Sequence, residues 1–464
     1  MEKKELLHIG RQWFRREGWE PFPFQLKAWE YYLDGYSGLV NAPTGTGKTY
    51  SLAIPILLEG ITSLPPAPSK GGGKGSVEAG RGLFAIWITP IRALTKEIQS
   101  SIQQAADDLG LNWQVAIRSG DTKTSERRKQ KKNPPQVLIT TPESLHLLLS
   151  NKGYSQYFRH LRAIVVDEWH ELLGSKRGVQ MELALSRLKG MLPWLKVWGI
   201  SATIGNMEEA LAVLLGNTLE TGRFKVVRAE VPKQIEIESI LPDEIERFPW
   251  AGHLGIKLLE KVLPILEQSQ STLIFTNTRA QCEIWYQNLL EIAPGLAGAI
   301  AMHHGSIARE LRDWVEDALH QGILKAVVCT SSLDLGVDFR PVESIIQIGS
   351  PKGIARFMQR AGRSGHQPGA LSKIYFVPAH SLELIEAAAL RRAIKAGELE
   401  SRIPYIRSFD VLLQYLVTLA VSEGFRPEEI YGEVKGTYSF SSMTEDEWAW
   451  CLDFITTGGQ SLEV

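Results

Sequence analysis

The sequence predicts an α/β protein of two tandem parallel-sheet units followed by a small, mainly helical module. Three observations carry this: apolar, β-branched runs alternate with longer amphipathic stretches, that pattern occurs twice, and strand signals fade after about residue 396. Its 464 residues allow two or three domains at about 150 each.

In the first unit, residues 83–89, 136–141, 163–167 and 197–202 read as strands apolar on both faces, as in a sheet covered by helices on both sides. The short run 38–41 is a further strand candidate, and 50–59 is a helix candidate. Residues 64–82, rich in Pro, Gly and Ser, read as a mobile loop. The run 118–132 holds seven Lys or Arg against two acids; it reads as a solvated loop, with strand guidance as the alternative. The second unit opens at 234–240, which alternates apolar and polar, and continues with strands at 271–276, 326–330, 344–348 and 372–377 and a helix at 308–320. Turn residues at 222–232 place the boundary near 225, giving units 1–225 and 226–395. Residues 409–420 carry a helical apolar stripe, so 396–464 forms the third module.

Composition narrows the class. With 44% hydrophobic and 22% charged residues the chain is an ordinary globular protein, which excludes wholesale disorder and fibrous repeats. Fifty-one Lys and Arg against 52 Asp and Glu leave a net charge of −1, so a broad basic face is not expected, although a local patch is compatible with it. Cys282, Cys329 and Cys451 stand far apart, which supports neither a disulfide framework nor a thiolate metal site. The N-terminus lacks a secretory apolar stretch, and no run approaches the roughly 18 apolar residues that span a bilayer. The expectation is a cytoplasmic protein with no membrane partner, whose natural end lies beyond 464.

Chemistry enters at Ala42-Pro43-Thr44-Gly45-Thr46-Gly47-Lys48-Thr49, between a strand and a helix candidate. Ala42 stands where the strict phosphate-loop pattern has Gly, so the match is to the Gly-x-Gly-Lys-Thr half. Glycines let backbone N–H groups cradle a β-phosphate, Lys48 brings a cation to the β and γ oxygens, and the Thr49 hydroxyl is a Mg²⁺ ligand. The partner is Asp167-Glu168-Trp169-His170, directly after an apolar strand. At a strand's C-terminal end, Asp167 is expected to hold Mg²⁺ and Glu168 to take the proton from the attacking water. His170 is read as a sensor coupling that region to Ser201-Ala202-Thr203. ATP and Mg²⁺ are the implied cofactors.

With these residues in place the sequence resembles a superfamily 2 helicase, and further motifs follow in that family's order across 20–366. Gln25 resembles the adenine-reading Gln. Thr89 and Arg92 lie in a motif Ia-like segment, and Thr140 and Thr141 in a motif Ib-like one, both strand-contacting in the family. Ser201-Ala-Thr203 matches motif III, and the segment 275–279 with Asn277 resembles motif IV. The segment 330–338, with Thr330, Gly336 and Asp338, resembles motif V, where the glycine and aspartate belong to the nucleotide side. Residues 359–366 resemble motif VI. There Gln359 is similar to the residue that helps position the water. Arg360 and Arg363, one helical turn apart, are expected to reach the γ-phosphate together as arginine fingers. His304 and Ser306 are further strand-contact candidates.

The Asp-Glu-x-His box and the Gly-His ending of motif VI depart from DEAD-box proteins and are similar to the large helicase-related (Lhr) family. The extended box 167–178 resembles its ligase-associated branch, implicated in DNA repair. The resemblance implies two RecA-like units and a winged-helix module. It also implies ATP-driven 3′ to 5′ movement on single-stranded DNA, unwinding of DNA or RNA:DNA duplexes, and association with a repair ligase or nuclease. Two other readings stay open: an RNA helicase or remodeller, and a nucleotide-gated nucleic-acid clamp without productive turnover.

Overall fold

A computed structural model describes residues 1–43, 45–63, 82–91, 94–202, 204–230, 235–241, 254–334, 342–364 and 372–458. Thr44, Arg92, Thr203, Gly336, Asp338 and nearly all of the expected loop at 64–82 lie outside the described residues.

The first sheet holds β1 (Ser37–Asn41), β2 (Ala85–Ile88), β3 (Val115–Arg118), β4 (Val137–Thr140), β5 (Ala163–Val166), β6 (Lys196–Ser201) and β7 (Phe224–Arg228). They run β3-β4-β2-β5-β6-β1-β7, every neighbour parallel. The second sheet holds β8 (Ile235–Ser239), β9 (Thr272–Phe275), β10 (Ile300–His303), β11 (Ala326–Cys329), β12 (Ser344–Ile348) and β13 (Ser372–Val377), again all parallel, in the order β10-β11-β9-β12-β13-β8. Strands β2, β4, β5, β6, β9, β11 and β12 are buried along their whole length, which is why each reads as an uninterrupted apolar run. Strand β8 is an edge, and its alternating sequence matches a strand covered on one side only.

Two expectations are corrected. The boundary at 225 falls inside β7, which pairs with β1 from Ser37↔Phe224 to Asn41↔Arg228, so the first sheet runs on to Arg228. The basic run 118–132 is not a solvated loop: Thr124–Lys132 is a helix, anchored where buried Gln130 donates to Ile117 O at 2.9 Å and Arg127 donates to Ser119 O at 2.9 Å.

The third module is helical as expected, with helices Phe409–Ser422, Pro427–Lys435 and Glu445–Thr457. It has no separate core. Leu412, Tyr415, Leu416, Leu419, Ile430 and Val434 share one apolar cluster with Leu183, Leu185 and Leu188 of the first unit's helix Lys176–Met191. Each such fully buried aliphatic side chain contributes about 1.5–3 kcal/mol, so the module is bound to the first unit by core packing. Polar contacts fix the register: Arg187 pairs with Glu433 at 2.7 Å, and the Glu182 carboxylate accepts from Ser439 Oγ at 2.6 Å and Ser439 N at 2.9 Å. Burial nonetheless pushes the Glu182 carboxyl up to about 7. The strap entering the module touches both units. Gly205 N donates to Glu400 O at 3.1 Å, Asn206 and Arg402 exchange two hydrogen bonds, and the Glu400 carboxylate accepts from Ile354 N and Ala355 N at the start of helix Ile354–Ala361. Among the described residues no helix is long and apolar enough to cross a membrane.

Candidate active site

In a parallel sheet all C-terminal strand ends share one edge, and the order β5-β6-β1 sets three sequence-distant motifs side by side there. The phosphate loop leaves β1 and turns through Gly45 (φ 81°) and Gly47 (φ 67°) into helix Tyr50–Ser63. Thr46 Oγ1 donates to Pro43 O at 2.8 Å, bracing the turn. Gln25 is buried against this loop: its amide donates to Gly47 O at 2.9 Å while its oxygen accepts from Phe22 N at 2.8 Å.

The carboxylates follow β5. Glu168 adopts φ 45°, ψ 45°, a left-handed conformation that costs a non-glycine residue about 1–3 kcal/mol and marks strain at a working position. Its Oε1 lies 3.2 Å from Lys48 Nζ. Its Oε2 is buried with no hydrogen-bond donor, 3.5 Å from His170 Nδ1. Asp167 is held from behind, accepting from Trp87 Nε1 at 3.2 Å and from Glu168 N at 2.8 Å. Burial, and then the neighbouring Glu168 charge, raise Asp167 to about 6. Burial also works against ionised Glu168, but Lys48 first, and then Arg363, outweigh it and hold that carboxyl below its ordinary value. Two buried carboxylates thus face one nearby ammonium. With the hard oxygens of Asp167 and Thr49, that excess negative charge suits a divalent cation.

His170 is the junction of the site. Burial lowers its pKa, so the ring is neutral near pH 7. Ala202 N donates to Nδ1 at 3.4 Å, and Ser201 Oγ stands 3.4 Å from the same atom. On the ring's other side, His170 Nε2 lies 2.6 Å from the side-chain amide nitrogen Nε2 of Gln359. His170 thus touches Ser201 of the motif III segment on one side and Gln359 of the second unit on the other.

The arginine pair needs correction. Both turn to Asp334, Arg360 to its carboxylate and Arg363 to its backbone oxygen. Arg360 is 2% exposed, and its guanidinium is used up inside the second unit: it forks onto Asp334 at 2.7 and 3.1 Å, donates to Gln347 Oε1 at 2.5 Å and stacks over Phe275. It is a buried brace, not a γ-phosphate contact. Arg363, just past the helix end, donates to Asp334 O at 3.0 and 3.3 Å and lies close enough to Glu168 to lower its pKa. Arg360→Ala leaves the Asp334 carboxylate buried without its main partner and should lower stability by about 3–5 kcal/mol. A denaturation midpoint equal to the parent's would return Arg360 to the cleft.

The strand-contact candidates divide. Thr89 and Thr140 are fully buried, and their hydroxyls bond to Ile91 O at 3.2 Å and Arg118 O at 2.8 Å. Both are corrected from phosphate contacts to strand-end fixings, because neither hydroxyl reaches the surface. Thr141 caps helix Pro142–Leu149 through Ser144 N. In the second unit Asn277 donates to Ser350 O at 2.7 Å, His304 accepts from Ser306 N at 3.3 Å, Ser306 Oγ is met by Arg279, and Thr330 follows β11. These side chains gather at the C-terminal ends of β9, β10, β11 and β12, the edge on which an open parallel sheet binds ligands.

Family models divide the chain along these same lines. The DEAD/DEAH box helicase model matches residues 22–210 and the helicase conserved C-terminal domain model matches 255–367. The large helicase-related protein winged helix domain model matches 392–464. The chain belongs to the Lhr family of superfamily 2 helicases. Among Lhr relatives, the ATP-dependent helicase Lhr-Core of Methanocaldococcus jannaschii is 30% identical over 97% of this chain and 52% of its own. The Lhr helicase/uracil glycosylase of Escherichia coli is 30% identical over 96% of this chain and 32% of its own. The structure of Mycobacterium smegmatis helicase Lhr bound to ssDNA and AMP-PNP superposes with a TM-score of 0.79 at 30% identity, covering 96% of this chain and 57% of that one. The chain thus spans about half the length of the Lhr-Core relatives it matches. Sequence reasoning missed Asp334 and Gln347 as partners of Arg360, and Glu400 and Arg402 in the strap. Asp334 lies within the motif V-like segment, but nothing local to the other three marks them.

Proposed function

We propose that this Lhr-family chain is an ATP-dependent translocase that moves 3′ to 5′ on single-stranded DNA and opens DNA or RNA:DNA duplexes, acting in cytoplasmic DNA repair. The observation that carries the reading is the side-chain path Lys48–Glu168–His170–Gln359, which runs from the phosphate loop of one unit to motif VI of the other through contacts of 3.2, 3.5 and 2.6 Å. Such a path gives both units a stake in the nucleotide's γ end.

ATP phosphates at the loop compete with Glu168 for Lys48. As Lys48 turns to them, Glu168 loses its nearest cation, its pKa rises, and it becomes the better acceptor for a proton from the attacking water. Mg²⁺, held by Thr49 and Asp167, would neutralise phosphate charge. Thr44, Gly45, Thr46 and Gly47 would supply backbone donors, and the second N–H of Gln25 would read adenine. His170 senses whether Glu168 is paired or released and passes that difference to Ser201, Thr203 and Gln359. Gly336 and Asp338 complete the nucleotide side, and Arg363 supplies the finger.

Single-stranded DNA is favoured over RNA because the Lhr structure with the high likeness at 30% identity holds ssDNA. Arg92, Thr141, Asn277, His304, Ser306 and Thr330 are the proposed contacts. A repair ligase or nuclease partner rests on the resemblance of the extended box 167–178 to the ligase-associated branch. Strand displacement on 3′-tailed and 5′-tailed duplexes, DNA and RNA:DNA side by side, tests the whole reading. Opening of the 3′-tailed substrates with ATP is expected. Opening of RNA duplexes alone would favour the remodeller, and ATP-dependent binding without opening or turnover the clamp.

A further inference from the structure

On the first unit, a cavity of about 730 Å³ opens at the sheet edge opposite the nucleotide site. Gly82, Gln114, Gln136 and His160, which line it, stand just before β2, β3, β4 and β5, whereas the phosphate loop and the Asp167-Glu168 pair follow the strands' other ends. Its walls bring together Arg118, Lys131, Lys132, Lys152 and Arg159, and among the described residues no Asp or Glu lines it. In a chain of net charge −1, five cations around one concavity without an acid is a local reversal of sign.

Arg118 is decisive. The residue is only 9% exposed, yet its Nη1 is buried without a hydrogen-bond partner, and so is the hydroxyl of Tyr157 on the same wall. A buried guanidinium donor is costly to leave unmade, and native folds retain one where something else accepts it. An anionic acceptor would also offset the wall's charge, since among the described residues no carboxylate lines the cavity. The flat guanidinium fork matches a phosphate, and Lys131, Lys132 and Lys152 on the rim add point charges. A cavity of this size takes a phosphate together with an attached nucleoside. The sequence had marked part of this wall as its densest basic run; folding turns that run into a helix whose end, Lys131 and Lys132, forms the rim.

We propose that this cavity binds the phosphate of a nucleotide unit, independently of the ATP cleft. The unit is either a free mononucleotide or the phosphorylated end of a strand, and the two sources are separable. With the ATP cleft saturated by AMP-PNP, titration calorimetry is run with AMP, and with one single-stranded oligonucleotide with and without a 5′-phosphate. Arg118→Met and the rim variant Lys131→Ala/Lys132→Ala are compared with the parent. AMP binding that weakens at least tenfold in Arg118→Met, and measurably in the rim variant, supports the site with a free nucleotide as ligand. No AMP binding, but a 5′-phosphate that tightens the oligonucleotide about tenfold in the parent and not in the variants, supports it with a strand end. If the parent shows neither effect, or both survive in the variants, the proposal is overturned. Should Arg118→Met fail to fold, the rim variant, whose lysines are exposed, carries the same comparison.

Discussion

Glu168→Gln should bind ATP within a few-fold of the parental affinity and hydrolyse it at no more than background rate. The substitution preserves shape and removes one negative charge. Three consequences follow from the geometry. The water loses its proton acceptor, a role that contributes about 10²–10⁴-fold. Lys48, 3.2 Å from Glu168 Oε1, is freed for phosphate oxygens, so binding does not suffer. Asp167 loses the neighbouring charge that helps raise its pKa to about 6, so its carboxyl drops toward the ordinary range and stays ionised for a cation. Binding and turnover therefore separate, which a general destabilisation of the fold cannot produce. Fluorescent-nucleotide titration beside single-turnover hydrolysis with saturating single-stranded DNA reads both. Turnover at the parental rate would remove Glu168 from the role of base.

The parts of this site that were legible in the sequence are those whose chemistry is contiguous. The phosphate loop declares itself because its glycines, lysine and threonine act from adjacent backbone positions, and Asp167-Glu168 because a buried strand ends there. Strands buried on both faces were visible as apolar runs. Strands β3 and β10 were not, because four residues with an Arg or a His among them make too short and mixed a signal. Strand β7 was lost for a different reason: its exposed edge residues resemble linker.

Direction is what local pattern does not carry. An i, i+3 spacing says that Arg360 and Arg363 are neighbours, but not that Asp334 and Gln347, brought together by tertiary folding, have claimed the first of them. A threonine at a strand end looks available for phosphate whether its hydroxyl faces out or, as at Thr89 and Thr140, bonds to the backbone beneath. Glu400 carries no signal at all, since its role exists only once the strap lies between motif III and helix Ile354–Ala361.

That separation of the two arginines sharpens the second large effect. With Arg360 committed to the brace, Arg363, which bonds to the Asp334 backbone oxygen, is the arginine proposed to stabilise charge on the transferring phosphoryl group. Arg363→Ala should lower the rate of hydrolysis by about 10³-fold, the magnitude known for arginine fingers, while ATP affinity changes far less. Arg363→Lys should recover only a small part, because a point charge does not reproduce the planar fork. A pH signature separates this role from a structural one. Arg363 is one of the charges that hold the Glu168 carboxyl below its ordinary value, so removing it moves that pKa upward. A base with a raised pKa is protonated at a higher pH, and the acidic limb of the rate profile must shift up: the loss relative to the parent should be larger at pH 6 than at pH 8. An Arg363→Ala enzyme with a parental rate would leave the finger unassigned. One with a reduced rate but an unshifted acidic limb would place Arg363 at the phosphate without the coupling to Glu168.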